Sequence, residues 1–195
     1  MRESGSCGRQ KESASKPRRR TMAGIMVALG FFLVLGAALP SQLALTLTSE
    51  PEGARMVFPM REGEPFSIRF IHSVHRTPVE EHYRIAGDGH LVLESMIYET
   101  YGVGNPSEAG PGERFRMEGG KYVIEGMRRA YPEIRQRIGQ IAANHELTVH
   151  GETFSLADRF VPGSRVLLRV EKKSLWSLWR GGASFGQILG FSWGT

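Results

Sequence analysis

Hydrophobic and polar residues alternate over much of the chain that follows residue 40. The alternation is clearest in segment 66–70, where every second residue is Phe or Ile and the residues between them are Ser and Arg. A period of two places successive side chains on opposite faces of an extended chain, so it predicts a β-strand with one buried face. Segments with this pattern or a similar extended character are 43–48, 66–71, 79–85, 91–101, 121–125, 133–138, 146–150, 153–156 and 165–170.

Glycine and proline recur between these segments, for example in 87–89 and 110–112, and they predict turns. Many short strands separated by turns are typical of an all-β fold. We therefore expect an antiparallel β-sandwich, immunoglobulin-like or barrel-like, over residues 43–172. No segment after Leu39 has a helical stripe of ten or more residues, and 125–130 is expected to form a single turn.

The N-terminal part of the chain has a different pattern. Residues 22–39 carry no charge, and at about 1.5 Å per residue a helix of this length is roughly 27 Å long, close to the hydrocarbon thickness of a bilayer. A basic cluster at 16–20 precedes it, and basic residues stay on the cytoplasmic side of membranes.

Four regions follow from these patterns. We expect a disordered, basic cytoplasmic tail over 1–20, a single-pass transmembrane anchor over 21–40 that enters the membrane through Met22–Leu39, the extracytoplasmic β-domain over 43–172, and a C-terminal tail over 173–195. The alternative for the apolar segment is a cleaved signal peptide, after which the domain would be secreted.

The distribution of charge argues against nucleic-acid binding. The first twenty residues hold seven of the 25 basic residues and two of the 20 acidic ones, so they account for the whole formal charge of +5. A nucleic-acid-binding surface would spread basic residues over the folded domain. Cys7, the only cysteine, precedes the apolar segment, so no intrachain disulfide is expected in the exported part.

The densest polar cluster lies at residues 72–83. Alternation predicts that His72 and Glu81 face the core from adjacent strands and satisfy each other, because a buried carboxylate is costly unless it is paired. Glu94 is a possible third member. Three interpretations remain open: a structural His–Glu pair, part of a ligand or partner site, and a one-His, two-carboxylate metal site or acid–base pair.

No motif for a particular chemistry supports the last interpretation. The chain has neither an HExxH zinc motif nor a GxSxG nucleophile elbow, so we predict no catalytic residue, no metal and no cofactor. The other histidines, His75, His82, His90, His145 and His150, are expected at the surface or in turns.

Two glycines at alternate positions follow the 91–101 segment. Gly102 and Gly104 suggest a bulge or positive φ angles, and 105–115 is expected to be an irregular loop of the kind that often carries function. The candidate binding residues of the chain are His72, Ser73, Glu81, Tyr83, Glu94, Gly102, Gly104 and Asn105.

The C-terminal tail holds all three tryptophans of the protein, at positions 176, 179 and 193. Tryptophan favours the interface between a bilayer and water because its ring is partly apolar and partly hydrogen-bonding. We expect a flap that contacts the membrane surface or a partner subunit. Packing of the tail on its own domain is the alternative.

Three segments, 66–85, 91–106 and 119–139, carry a resemblance to a known family. They read FSIRFIHSVHRTPVEEHYRI, LVLESMIYETYGVGNP and GGKYVIEGMRRAYPEIRQRIG. The matching positions are His72, Ser73, Val74, Pro78, Val79, Glu81, Tyr83, Glu94, Gly102 and Gly104. The chain resembles the bacterial family called domain of unknown function 1850 over about 43–170, although GVGNP replaces the commoner GAGLP.

The resemblance implies a role but no activity. Members look like small exported proteins, often encoded near TAXI-type tripartite ATP-independent periplasmic (TRAP) transporters of organic acids. It therefore implies a non-enzymatic accessory protein whose partner is a transporter permease or solute-receptor subunit. The alternative is an extracytoplasmic metal-binding protein or hydrolase that uses His72, Glu81 and Glu94.

Overall fold

The computed structural model describes residues 18–139 and 144–180, which divide between two units, 1–37 and 38–195. The expected tail 1–20 lies mostly outside the described residues. Helix α1 spans Arg18–Ala38, and its large apolar side chains from Met22 onward are exposed. Over the described ranges, no helix meets the combined length and hydropathy needed for a membrane span.

The second unit consists mainly of strands. The described residues form eleven of them: β1 (Pro40–Glu50), β2 (Arg55–Met60), β3 (Pro65–Ile71), β4 (Pro78–Ile85), β5 (Leu91–Tyr98), β6 (Arg114–Glu118), β7 (Lys121–Tyr131), β8 (Ile134–Arg137), β9 (Glu146–Val149), β10 (Glu152–Ser155) and β11 (Arg165–Ser174). A short 3-10 helix, Leu156–Asp158, follows β10, and helix α2, Leu175–Arg180, follows β11.

The strands pair antiparallel in two sheets. One has the order β2-β1-β11-β8 and the other β10-β9-β3-β4-β5-β7-β6. Each of the nine predicted segments contains a strand, so the all-β prediction is confirmed, and the two sheets are consistent with a β-sandwich. The extended stretch predicted for 91–101 ends at Tyr98.

Three local predictions need correction. Strands β2 and β6 were not predicted, and neither alternates: β2 has three consecutive buried residues, 58–60, and β6 has no buried side chain. Segment 125–130 is not a turn, because β7 runs through it. Gly126, at φ +76°, sits where the register of β5 and β7 shifts.

The hydrophobic core is formed by buried side chains from both sheets. Leu45 and Leu47 of β1 and Leu168 of β11 belong to the same buried cluster as Ile68, Ile85 and Ile124 of the seven-stranded sheet. Each of these side chains is fully buried, and burial of such a side chain contributes about 1.5–3 kcal/mol. The alternation seen in the sequence is therefore the pattern of these inner faces.

The strands give the domain two distinguishable ends. The chain enters β1 at Pro40, which pairs with Ser174 at the end of β11. A methyl group added at Gly89, in the β4–β5 turn, would lie 3.8 Å from the carbonyl oxygen of Val170, in the half of β11 that leads to Ser174, so this turn lies toward the same end. We call this the proximal end. The β3–β4 turn lies at the other end of β3, which we call the distal end, about 23 Å away for seven residues at 3.3 Å each.

Candidate functional site

A tight turn links β3 to β4 at the distal end. The backbone N–H of Arg76 donates to the carbonyl of His72 at 2.8 Å, and the N–H of His72 donates to the carbonyl of Thr77 at 2.9 Å. Arg76 has φ +56°, a left-handed conformation that is uncommon for a residue with a side chain. The turn therefore has a defined, closed geometry.

A second turn lies beside it, beyond the end of β5. Gly102 and Asn105 exchange backbone hydrogen bonds of 3.0 and 3.2 Å, and the two residues between them, Val103 and Gly104, have φ +48° and +104°. Positive φ at both central residues defines a type I′ turn, which normally selects Asn or Gly. Valine is β-branched and is strained in this conformation, yet 65% of its surface is exposed.

Two histidines hold these turns together. The Nε2 atom of His72 lies 3.1 Å from the carbonyl oxygen of Val103, and the Nε2 atom of His75 lies 3.1 Å from that of Gly102. Because a carbonyl can only accept, both Nε2 atoms must carry a proton. The Nδ1 atom of His72 accepts from the backbone N–H groups of Val74 and His75, each at 3.3 Å, so His72 is neutral here.

Buried polar contacts also hold the loop that follows β5 on its inner side. Asn105 is 7% exposed, and its side-chain amide donates to the carbonyl of Thr100 at 2.8 Å. The hydroxyl of Tyr98 donates to the carbonyl of Pro106 at 2.6 Å. Tyr101 packs edge-on against Tyr122, with ring centroids 5.3 Å apart. The loop is thus fixed on its inner side as well as by the histidines.

We call residues 72–77 and 101–105 together the tip. Its exposed apolar side chains are Val74, Tyr101 and Val103, at 61%, 54% and 65% exposure. Apolar side chains held in a fixed geometry at a surface are what a protein interface needs. Of the candidate residues, His72, Ser73, Gly102, Gly104 and Asn105 are brought together here.

Glu81 lies elsewhere. It faces the core as predicted, but its partner is Tyr83, whose hydroxyl donates to the carboxylate at 2.8 Å. Burial raises the pKa of Glu81 above its ordinary 4.5, and burial and the neighbouring carboxylate raise the pKa of Tyr83. In register Glu81 is opposite Ile68, and His72 lies four residues further along, about 13 Å at 3.3 Å per residue.

The expected His72–Glu81 pair is therefore wrong. Both residues have the predicted parity, but His72 lies beyond the last residue of β3, so its ring meets the neighbouring loop instead of β4. Glu94 has a third set of neighbours, because both its oxygens lie 2.8 Å from the guanidinium of Arg84. Across the described part of the chain, no three His, Cys, Asp or Glu side chains are grouped so that they could hold a metal ion.

Of the histidines predicted at the surface or in turns, His75 lies in the β3–β4 turn and its ring also contacts the neighbouring loop. His145 differs from the prediction because it is buried. His145 is 3% exposed, stacks on Phe70 with centroids 5.5 Å apart, and contacts the side-chain amide of Gln136. We call His72 and His75, which join the two turns, the two-histidine clamp. Their H-x-x-H spacing across a tight turn was the sequence signal that could have identified His75 as its second member.

The chain has a match to a known protein family. Residues 66–156 match the family described as Domain of unknown function (DUF1850). The DUF1850 match begins in β3 and ends after β10, so it contains the whole tip together with Glu81, Tyr83 and Glu94. No curated protein and no solved structure matches the chain.

Proposed function

We propose that this protein is a non-enzymatic accessory protein that docks a partner protein through its tip. The observation that carries the proposal is the two-histidine clamp, which holds Val103 exposed in a strained conformation. Strain of this kind persists only where the surroundings enforce it, and it is concentrated at functional positions. A surface that is already ordered loses little entropy on binding, so few apolar contacts suffice.

The proposed location of the protein is the cell membrane. Helix α1, with its apolar sequence and preceding basic cluster, anchors the protein in the cell membrane, and the β-domain, an immunoglobulin-like sandwich, lies outside the cytoplasm. The apolar exposed side chains of α1 support this assignment. Anchoring confines the domain near other membrane proteins and raises its effective concentration, so weak contacts at the tip are sufficient. Cleavage of the same segment and secretion of the domain is the competing location.

The proposed partner is a permease or solute-receptor subunit of a TAXI-type TRAP transporter for organic acids. The support is the DUF1850 match over 66–156. The resemblance to this family is what implies a transporter as the partner. The acid–base or metal-site alternative has no comparable support, because His72, Glu81 and Glu94 each contact different groups.

The test is affinity capture of the full-length protein from detergent-solubilised native membranes. Val103→Asp places a charge at the centre of the tip and is expected to lower the yield of co-purified transport subunits about tenfold, as for loss of an interface anchor. The matched control is Val161→Asp, which alters an exposed valine outside the family match. Equal capture by both variants, or no transport subunit with the wild-type chain, would contradict the proposal.

A further inference from the structure

Helix α2 presents two tryptophans to the outside of the domain. Its first turn is capped by Ser174, whose hydroxyl accepts from the backbone N–H of Ser177 at 3.1 Å. Leu178 is 1% exposed and packs with Ala44 on the outer face of the four-stranded sheet, joined by Val57 and Leu175. Residues 175–180 therefore pack on their own domain, and the rest of the predicted flap, 181–195, lies outside the described residues.

The opposite side of α2 is not covered by the described residues of the domain. Trp176 and Trp179 are 55% and 57% exposed, and their ring centroids lie 5.2 Å apart. The burial of Leu178 fixes the helix, so the two rings form one apolar surface with a set direction. We call this surface the tryptophan pair.

The position of the tryptophan pair indicates what it contacts. It lies at the proximal end, because α2 directly follows Ser174, the pairing partner of Pro40. Pro40 is the second residue after the end of α1. Two exposed basic residues, Lys172 and Arg180, flank the pair in the sequence, whereas Lys173 forms an ion pair with Glu171 at 2.5 Å.

We propose that the tryptophan pair inserts into the headgroup region of the bilayer in which α1 is anchored. This inference rests on the anchoring in the proposed function. Tryptophan rings are stable at headgroup depth, and Lys172 and Arg180 complement anionic headgroups. The contact places α2 at the lipid, and the tip lies at the other end of the strands from the tryptophan pair.

The experiment reconstitutes the full-length protein in vesicles of phosphatidylcholine and phosphatidylglycerol with brominated acyl chains, which quench nearby indole rings. Trp193→Phe leaves only the tryptophan pair as emitter. We expect about twofold lower emission than in unbrominated vesicles, because the rings lie at the lipid interface. Removal of the phosphatidylglycerol, or the double variant Lys172→Gln and Arg180→Gln, should reduce the quenching.

The matched control adds an emitter at the tip. Tyr101→Trp in the Trp193→Phe chain keeps the tryptophan pair, and the added emission should not be quenched because Tyr101 lies at the distal end, so the quenched fraction of the total emission should fall. Resistance of the protein to extraction by alkaline carbonate reports the anchoring separately. An unquenched pair in a carbonate-resistant protein would overturn this inference and leave the anchoring intact, and would indicate that the pair faces a protein or water. Release by carbonate would overturn the anchoring, and the inference with it.

Discussion

At the level of single residues, the tip depends on which ring nitrogen of His72 carries the proton. The Nε2 atom donates to Val103 while the Nδ1 atom accepts from two backbone N–H groups. One neutral side chain therefore satisfies three backbone groups from two turns that are about thirty residues apart in sequence. An intramolecular hydrogen bond contributes about 0.5–1.5 kcal/mol net, so the imidazole stabilises both turns together.

Replacement of this ring should loosen the tip. His72→Phe keeps the ring shape but removes all three hydrogen bonds, and we expect the free energy of unfolding to fall by about 1–3 kcal/mol. The measurement is a urea titration of the full-length protein in detergent micelles. His82→Phe is the control, because His82 is 38% exposed on β4 and its Nε2 atom lies 3.2 Å from Glu80, so loss of this surface contact should cost well under about 1 kcal/mol. Similar losses for both variants would show that the clamp does not contribute.

Glu81 gives the domain a characteristic dependence on pH. Its folded-state pKa is raised above the ordinary 4.5 by burial, so the folded protein holds this proton more tightly than the unfolded chain does. The stability that the protonated carboxyl contributes is present below pH 4.5 and is lost as the pH rises from there toward the raised pKa. Glu81→Gln cannot ionise, so its stability relative to wild type should increase with pH.

The check is the free energy of unfolding of both proteins at several pH values. Tyr83→Phe serves as a second variant, because it removes the hydroxyl that favours the ionised carboxyl. It should extend the fall in stability to higher pH. A difference between Glu81→Gln and wild type that does not change with pH would show that Glu81 is ionised at no cost in the folded protein.

At the level of elements, the strands of the sheet centres and the edge strands β8 and β10 were predictable, and the edge strands β2 and β6 were not. β3 and β4 alternate clearly because one face of each packs on the core, and a buried residue such as Ile68 or Ile85 recurs at every second position. β6 has only half-buried or exposed side chains, so its sequence carries little alternation. Burial of every second residue makes a strand recognisable in the sequence, and β6 lacks this burial.

The irregular part of β7 makes a testable contact with the 105–115 loop. A methyl group at Gly126 would lie 3.1 Å from the carbonyl oxygen of Gly112, and φ there is +76°. Both effects disfavour a side chain, so Gly126→Ala should destabilise the fold by about 2 kcal/mol or more. Gly112→Ala is a matched control with φ +79° and no described atom within 4 Å, and the conformational strain alone should cost about 1 kcal/mol.

The melting temperatures of the two variants, measured side by side by circular dichroism, separate the cost of the steric contact from that of the backbone strain. A lower melting temperature for Gly126→Ala than for Gly112→Ala is expected. Equal temperatures would mean that the loop yields to the added methyl group, and that the loop is not held against β7.

At the level of the whole molecule, the tip consists of two segments whose proximity no local sequence pattern predicts. The segments 72–77 and 101–105 are each recognisable as turns, but the clamp between them depends on β3, β4 and β5 lying side by side in register. Parity alone predicted the wrong partner for His72, because it treats a residue beyond the end of a strand as if it still faced the core. The positions of the tryptophan pair and the tip at opposite ends of the domain also depend on the pairing of distant strands, because this pairing sets the direction of each strand.

The most direct test of the account places a photo-activated benzoylphenylalanine at position 103 of the full-length protein in living cells, with position 161 as the control site. Irradiation should yield a cross-linked adduct to a transport subunit from position 103, and His72→Phe should reduce its yield. Adducts of equal yield from both positions, or none from position 103 while the protein is folded and present in the membrane fraction, would contradict docking through the tip.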